Sequence, residues 1–162
     1  MKVFVDTNVL LDVLAQREPF YRASATVSTQ IEEYRLEGFI SAISFNNIHY
    51  ILRKRAGAAK ALQAMRALMD TFTTVELDER TIRRAVDSGM DDFEDAIQYF
   101  SALRCSADYL LTRDVGGFPH QDIPVLSPEE FLRLDLGFGI PAQKQPHIPK
   151  RQEQAAADPD KR

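Results

Sequence analysis

Cysteine and tryptophan are almost absent from this 162-residue chain, which has Cys105 as its single cysteine and no Trp. One cysteine cannot form an intrachain disulfide, and its apolar helical surroundings favour a buried thiol over a reactive one. The sequence also lacks a Cys/His zinc spacing, a Walker phosphate loop and a Ser-His-Asp arrangement. These absences exclude three common kinds of catalytic or structural site.

Long hydrophobic runs are missing as well. No stretch is long enough to cross a membrane. The apolar run at the N-terminus is interrupted by Asp6 and Asp12 and lacks a small-residue cleavage site, so we expect no signal peptide. Together with the single cysteine, this predicts a cytoplasmic protein without a membrane partner.

Excess positive charge is the third thing lacking, because the formal net charge is -4. Phosphate backbones favour basic surfaces, so this balance argues against a simple nucleic-acid-binding patch. The acidic residues must therefore be located in the fold rather than averaged over it. If several carboxylates converge at one site, bound metal cations reverse the local field there.

The chain alternates between short β-branched or aromatic runs and segments with helical periodicity. The predicted strands are 2–5, 39–43, 73–77, 109–111 and 124–126. The predicted helices are 9–14, a long one from Pro19 to a stop at Gly38, one from Ser44 to Arg55, 58–69, 79–88, one led by Asp92 and one beginning at Pro128. This alternation predicts an α/β fold with a mainly parallel sheet and helices on both faces.

The periodic pattern ends after Leu134. Residues 135–162 are rich in Gly, Pro and polar side chains, which bury little apolar surface. We therefore expect one domain over 1–134 and a disordered tail over 135–162.

Three acids stand where a parallel α/β sheet places chemistry, at the carboxyl ends of strands. Asp6 follows the first strand, Asp114 follows the fourth, and Asp95 begins the helix before that strand. Clustered carboxylates repel one another unless a cation is bound, which makes such a cluster a site for Mg²⁺ or Mn²⁺. Each acid also has a structural alternative, as a helix cap, a first-turn acid or a turn residue.

Four segments taken in order resemble the PIN-domain family, in its bacterial toxin-like branch. They are DTNVLLDVL, ISAISFNNIHYIL, DFEDAIQYFSA and ADYLLTRDVGGF. The likeness includes a REP segment at 17–19, an ED pair at Glu94 and Asp95, and a T-x-D strand end at Thr112 and Asp114. It covers roughly 1–134, and its strength lies in the order of the motifs rather than in any one of them.

The resemblance implies a three-layer α/β/α sandwich and a metal-dependent endoribonuclease, the toxin of a toxin-antitoxin system. Such a protein acts on RNA, is expected to be a homodimer and is silenced by a small antitoxin protein. By the resemblance, the metal-holding catalytic acids are Asp6, Asp95 and Asp114. The polar supports and auxiliary candidates are Thr7, Asn8, Thr112, Asp92 and Glu94. Helical direction favours Asp92 as the auxiliary ligand, whereas the family pattern pairs Glu94 with Asp95.

One position departs from the family pattern. Many members carry glutamate in an S/T-x-x-E segment after the second strand, where this chain has Ser44 and Asn47. A neutral amide can position water or ligate a metal weakly, but it cannot act as a general base. The structural alternative is that Ser44 caps the helix and Asn47 completes a variant capping box.

Candidate RNA contacts are Arg53, Lys54 and Arg113. The first two are equally explained as a favourable helix C-terminus on a solvated face. Arg113 lies between Thr112 and Asp114, where it can meet a phosphate or pair with a neighbouring acid.

Two other functions remain open from the sequence. A haloacid-dehalogenase-like phosphatase also begins with a strand that ends in Asp, but that family expects a second Asp two positions later, where this chain has Asn8. A catalytically weakened RNA-binding or interaction module with the same fold is the other alternative, favoured by Asn47 and the acidic charge.

Overall fold

The computed structural model describes residues 1–119 and 122–134, and its centre is a five-stranded parallel sheet. The strands are β1 (Lys2–Val5), β2 (Glu37–Ser41), β3 (Thr73–Val75), β4 (Tyr109–Leu111) and β5 (Val125–Leu126). The helices are α1 (Thr7–Leu14), α2 (Tyr21–Glu32), α3 (Ala42–Ala56), α4 (Ala58–Thr71), α5 (Glu79–Asp87), α6 (Phe93–Arg104) and α7 (Pro128–Arg133).

The side chains of β1 divide between two hydrophobic cores. Val3 and Val5 point to one face, where they pack with α1 to α4 and α7, and Phe4 points to the other, where it packs with α6. All three side chains are buried to 1% exposure or less. A strand buried on both faces requires helices on both faces. The predicted α/β/α sandwich with a parallel sheet is therefore confirmed.

The strand order is β3-β2-β1-β4-β5. The chain adds β2 and β3 on one side of β1 and then returns to add β4 and β5 on the other. The order thus reverses between β1 and β4, and in open parallel sheets ligands bind beyond the carboxyl ends of the strands at such a reversal. Asp6 follows β1 and Thr112 follows β4, so both emerge at this point.

The region between α2 and α3 differs from the sequence prediction. α2 ends at Glu32, and Gly38, predicted to stop that helix, lies inside β2. A Cβ atom at Gly38 would come within 2.8 Å of Phe72 Cδ1 and closer still to Ile31. This glycine is therefore required by close packing against the strand, which sequence periodicity does not distinguish from a helix stop.

Several helix starts were also misplaced. α3 begins at Ala42, so Ser44 lies inside the first turn instead of opening the helix. α2 begins at Tyr21, after the turn that contains Pro19, and α1 begins at Thr7 instead of residue 9.

No helix in the described ranges has the length and apolar character needed to span a membrane. The predicted tail over 135–162 lies outside the described residues.

Candidate active site

Two neighbouring strands place the first polar groups of the site. β1 and β4 pair in parallel with Val5 opposite Leu111, and the backbone N–H of Asp6 donates to the carbonyl of Leu111 over 3.0 Å. Asp6 and Thr112, the next residue on each strand, therefore meet. The Thr112 hydroxyl donates to Asp6 Oδ2 over 2.7 Å.

Asp6 is only 2% exposed, and hydrogen-bond donors reach both of its carboxylate oxygens. Thr112 donates to Oδ2, and the Gln98 amide donates a short hydrogen bond to Oδ1. Asp6 stands at the N-cap of α1 without a side-chain capping hydrogen bond. The backbone N–H groups of Thr7 and Asn8 still lower its pKa, so Asp6 favours the start of α1 in addition to its contacts with Thr112 and Gln98.

The environment of Asp6 disfavours its charged form. Burial raises the pKa of Asp6 to about 6; the Thr112 hydrogen bond opposes this rise, and the nearby charge of Glu94 adds to it. A carboxylate supported only by neutral donors and faced by another acid is held far less favourably than one beside a cation.

Asp95 lies in the first turn of α6, where helix polarity ordinarily favours an acid. Its pKa is nevertheless raised to about 7, first by burial and then by the charges of Asp6, Asp92, Asp114 and Glu94. Four acids on two helix starts and one strand end thus act on a single carboxyl group. The structure brings together the three acids that the sequence placed at strand and helix ends.

Asp114 approaches Asp95 beside a glycine. A Cβ atom at Gly117 would lie 3.0 Å from Asp114 Oδ2 and 3.3 Å from Asp95 Oδ2. Both carboxylates thus border one small space that the missing side chain keeps open. Asp114 precedes the short 3-10 turn Val115–Gly117, but its side chain makes no capping hydrogen bond there.

Asp92 and Glu94 have different surroundings. Asp92 is the N-cap of α6, and its Oδ1 accepts from the backbone N–H groups of Glu94 and Asp95 at 2.8 and 3.1 Å. The structural alternative for Asp92 is therefore present, although its charge still acts on Asp95. The Gln98 amide approaches Glu94 Oε1 at 3.5 Å, which places Glu94 beside the Asp6 cluster. Helical direction alone therefore did not decide which of Asp92 and Glu94 lies nearer to the site.

A chain of neutral groups holds the strand ends in place. Asn8 Nδ2 donates to Thr112 Oγ1 over 3.0 Å, and Asn8 Oδ1 accepts the backbone N–H of Arg113 over 3.1 Å. The backbone N–H of Asp114 donates to Thr112 Oγ1 over 3.1 Å. Thr112 is therefore the point where Asp6, Asn8 and the Asp114 backbone meet.

The start of α3 approaches this network through Ser44. Its hydroxyl lies 3.0 Å from the Thr7 hydroxyl, and Ser41 occupies the N-cap position, so the expectation that Ser44 caps α3 was wrong. Asn47 is one turn further along and on the same side of the helix as Ser44. Its Oδ1 accepts from Asn46 Nδ2 over 3.3 Å, and the structure shows no hydrogen bond between Asn47 and the acids within the described ranges.

The three candidate RNA contacts lie in different places. Arg113 Nε is 3.1 Å from Asp12 Oδ2, and its guanidinium stacks 4.6 Å from the Phe20 ring centre. Arg113 thus pairs with a neighbouring acid, which is one of the two roles predicted for it. Arg53 and Lys54 are exposed in the last turn of α3, roughly 14 Å along the helix from Ser44. The structure does not bring them to the acids.

Two buried polar residues escaped the sequence analysis. Gln98 is 1% exposed and contacts Asp6, Thr7 and Glu94, and Asp12 is fully buried beside Arg113. The signal for Gln98 was its spacing, because it follows Glu94 and Asp95 by four and three residues on α6. Asp12 offered a polar residue within the apolar pattern of α1.

The donor chemistry fits a hard divalent cation. Carboxylate oxygens are the ligands that Mg²⁺ and Mn²⁺ prefer, and the surrounding acids raise the pKa of Asp95. Among the described residues, however, no three His, Cys, Asp or Glu side chains form a ready coordination group. The acids therefore lie near one another, but among the described residues they do not form a complete set of metal ligands.

Comparison with known proteins gives consistent matches over the described domain. The family model of the PIN domain matches residues 2–116. A relative described as Ribonuclease VapC1, from Aquifex aeolicus (strain VF5), is 26% identical over 135 residues, which are 80% of this chain and 92% of the relative.

Solved structures agree at the level of the fold. VapBC-1 from nontypeable Haemophilus influenzae has a TM-score of 0.62 at 14% identity, over 80% of this chain and 99% of that chain. A toxin-antitoxin complex from Klebsiella pneumoniae has a TM-score of 0.58 at 22% identity, over 78% and 97% of the two chains.

Proposed function

Because the PIN-domain model matches residues 2–116, this chain belongs to the PIN-domain family, and from that membership we propose that it is a metal-dependent endoribonuclease. The same match argues against the alternative of a haloacid-dehalogenase-like phosphatase. The observation that carries the proposal is the convergence of acids on Asp95, whose pKa rises to about 7 under the combined charges around it.

In this proposal Asp6, Asp95 and Asp114 hold one or two Mg²⁺ or Mn²⁺ ions. A cation held by these acids would supply an activated water and would neutralise charge that develops on the scissile phosphate. Thr112 fixes the orientation of Asp6 and of the Asp114 backbone, and Asn8 fixes Thr112. These neutral donors leave the negative charge of the acids available for the cation.

The RNA contacts form a second part of the proposal. Arg113 is partly exposed and adjoins Asp114 in the chain, so it is the candidate for a phosphate next to the cleaved bond. Arg53 and Lys54 are assigned to a more distant part of the RNA because they lie at the far end of α3. Such contacts add affinity that decreases with salt.

We further propose that the protein is the toxin of a toxin-antitoxin pair. The named relatives support this role, since one is called a ribonuclease and two structures are titled as toxin-antitoxin or VapBC assemblies. A small antitoxin protein is then the partner, the toxin is a homodimer and its site of action is the cytoplasm. Light scattering of the isolated protein tests the dimer, and loss of cleavage on adding the product of an adjoining short gene tests the antitoxin.

The experiment for the activity is cleavage of structured and single-stranded RNA with Mn²⁺ or Mg²⁺, with EDTA, and with metal restored after EDTA. Metal-dependent cutting of at least one RNA is expected. Equal cleavage in EDTA contradicts the metal mechanism.

A catalytically weakened RNA-binding module is the second candidate, and the neutral Asn47 favours it. RNA binding without cleavage at any Mn²⁺ concentration is the result that selects it.

A further inference from the structure

The Gln98 side chain occupies the space between the two groups of acids. It lies on α6, one turn after Glu94 and Asp95, and reaches across to the end of β1. Its amide nitrogen donates to Asp6 Oδ1, contacts Thr7 Oγ1 at 3.0 Å and approaches Glu94 Oε1 at 3.5 Å. One amide group therefore joins an acid from β1 to an acid from α6.

Two polar contacts join α6 to the ends of the strands β1 and β2. One turn beyond Gln98, the Ser101 hydroxyl lies 3.3 Å from the Ser41 hydroxyl at the end of β2. Gln98 makes the corresponding contact to the end of β1 and is the only one of these two that touches an acid of the site. Its amide therefore shares Asp6 with the Thr112 hydroxyl and links Asp6 to the helix that carries Glu94 and Asp95.

The carbonyl oxygen of the same amide lacks a hydrogen bond within the described part of the chain, which is unfavourable for the folded state. Gln98 Oε1 is buried and has no hydrogen-bond partner among the described residues. A buried carbonyl without a partner is destabilising, and an apolar side chain of the same shape avoids this loss. A role in packing alone does not account for an amide at this position.

We propose that Gln98 is a positioning residue that holds Asp6 close to the acids at the start of α6, so that the two sides of the site share one cation. This inference rests on the proposed metal-dependent function. Removing a residue that hydrogen-bonds to a metal ligand typically lowers the metal affinity by about 10–100-fold. Gln98 acts through Asp6 and Glu94 and does not itself need to touch the metal or the RNA.

The main test is Gln98→Met, which keeps an unbranched side chain of similar size but removes the amide. Gln98→Asn is the second variant, because it keeps the amide but shortens the side chain by one methylene group. The matched control is Gln30→Met, which changes another buried helical glutamine, on α2. The Mn²⁺ dissociation constant is measured by titration calorimetry and the cleavage rate with RNA.

We expect both Gln98 variants to weaken Mn²⁺ binding at least tenfold and to lower kcat/KM in parallel, whereas Gln30→Met stays within twofold of the parent. If the parent protein itself does not bind Mn²⁺, the proposed function fails. If the parent binds Mn²⁺ and either folded Gln98 variant binds it within twofold of the parent, the positioning role is wrong. Should Gln98→Met not fold, Gln98→Asn decides the matter alone.

Discussion

Two buried carboxylates, Asp6 at the N-cap of helix α1 and Asp12 within that helix, have surroundings of opposite charge. Asp6, at the start of the helix, accepts hydrogen bonds from neutral groups and faces Glu94. Asp12, less than two turns later, faces Arg113 and Arg17. Burial raises the pKa of both, but at Asp12 the two arginines oppose that rise, and Arg113 forms an ion pair with it.

The comparison separates an acid that has its own cation from an acid that needs one supplied. The Asp12–Arg113 pair is a charge contact that joins α1 to the segment after β4. The Asp6 region has no corresponding cation among the described residues, and its acids raise the pKa of Asp95 together. We interpret Asp12 as part of a structural ion pair and Asp6 as part of a cation site.

The largest contrast is expected from Asp6→Asn against Asp12→Asn. Asp6→Asn removes a proposed metal ligand and one source of repulsion, so cleavage should fall more than 100-fold while apo stability stays equal or rises. Asp12→Asn should reduce cleavage less than tenfold, because Asp12 touches no acid of the cluster. RNA cleavage rates and thermal midpoints in EDTA and in Mn²⁺ measure the contrast, since a bound ion stabilises only the state that binds it. Parental cleavage by Asp6→Asn, with its full Mn²⁺ stabilisation, would place the site elsewhere.

The second contrast is the pH dependence of the metal-free protein. The folded-state pKa values of Asp6 and Asp95, about 6 and about 7, are above the ordinary value of 3.8. Their contribution to stability is therefore fully present below pH 3.8 and is lost as pH rises from there to the folded-state values. For Asp6 the rise from 3.8 to about 6 corresponds to a loss of roughly 3 kcal/mol. Urea unfolding in EDTA should therefore show stability that falls between about pH 4 and pH 7 and levels off above pH 7. Asp6→Asn should flatten the slope, and a parental slope in that variant contradicts the assignment.

Arg113→Met tests the other half of the comparison. It leaves the buried Asp12 without its nearest cation, and we expect a loss of about 2 kcal/mol at pH 7, reduced from the value for a fully buried pair because Arg113 is 30% exposed. The folded-state pKa of Asp12 is already raised and should rise further, so the loss should shrink as pH falls and Asp12 becomes neutral. Denaturant unfolding at pH 7 and pH 5 measures it. The double variant with Asp12→Asn should recover much of the stability. Equal losses in the single and double variants argue against a structural role for the Asp12–Arg113 ion pair.

The smallest effect is expected from Asn47→Glu, which restores the acid found in many family members. Asn47 lies at the edge of the site on α3, so an added charge should strengthen Mn²⁺ binding only a few-fold and lower metal-free stability slightly. Titration with Mn²⁺ measures the first effect. Unchanged Mn²⁺ binding in this variant indicates that position 47 faces away from the cation, and weaker binding contradicts the expected effect of the added charge.

Much of this fold could be predicted because local pattern and global position coincide. β1 and β4 are short, apolar on both faces and followed at once by polar residues, so their bounds and the convergence of Asp6 with Asp114 followed from parallel-sheet geometry. The stretch around Gly38 failed for the opposite reason. Its glycine is required by Ile31 and Phe72, and Phe72 is distant in sequence, so no local pattern reports that contact.

The candidate site shows the same division. Acids at strand ends are visible in the sequence, but partners such as Gln98 and Asp12 depend on which helix face packs against which strand end. Asp92 illustrates a residue with both possibilities, because its cap is a local feature and its charge acts on Asp95 across the site. Tertiary packing, rather than residue type, decides these assignments.

The most direct measurement is anomalous diffraction from crystals of the protein grown or soaked with Mn²⁺. The account predicts at least one anomalous peak bordered by Asp6, Asp95 and Asp114, with carboxylate oxygens at about 2.0–2.2 Å from the ion. It also predicts loss of that peak in Asp6→Asn crystals. An active protein whose only manganese peak lies away from these three acids would contradict the account.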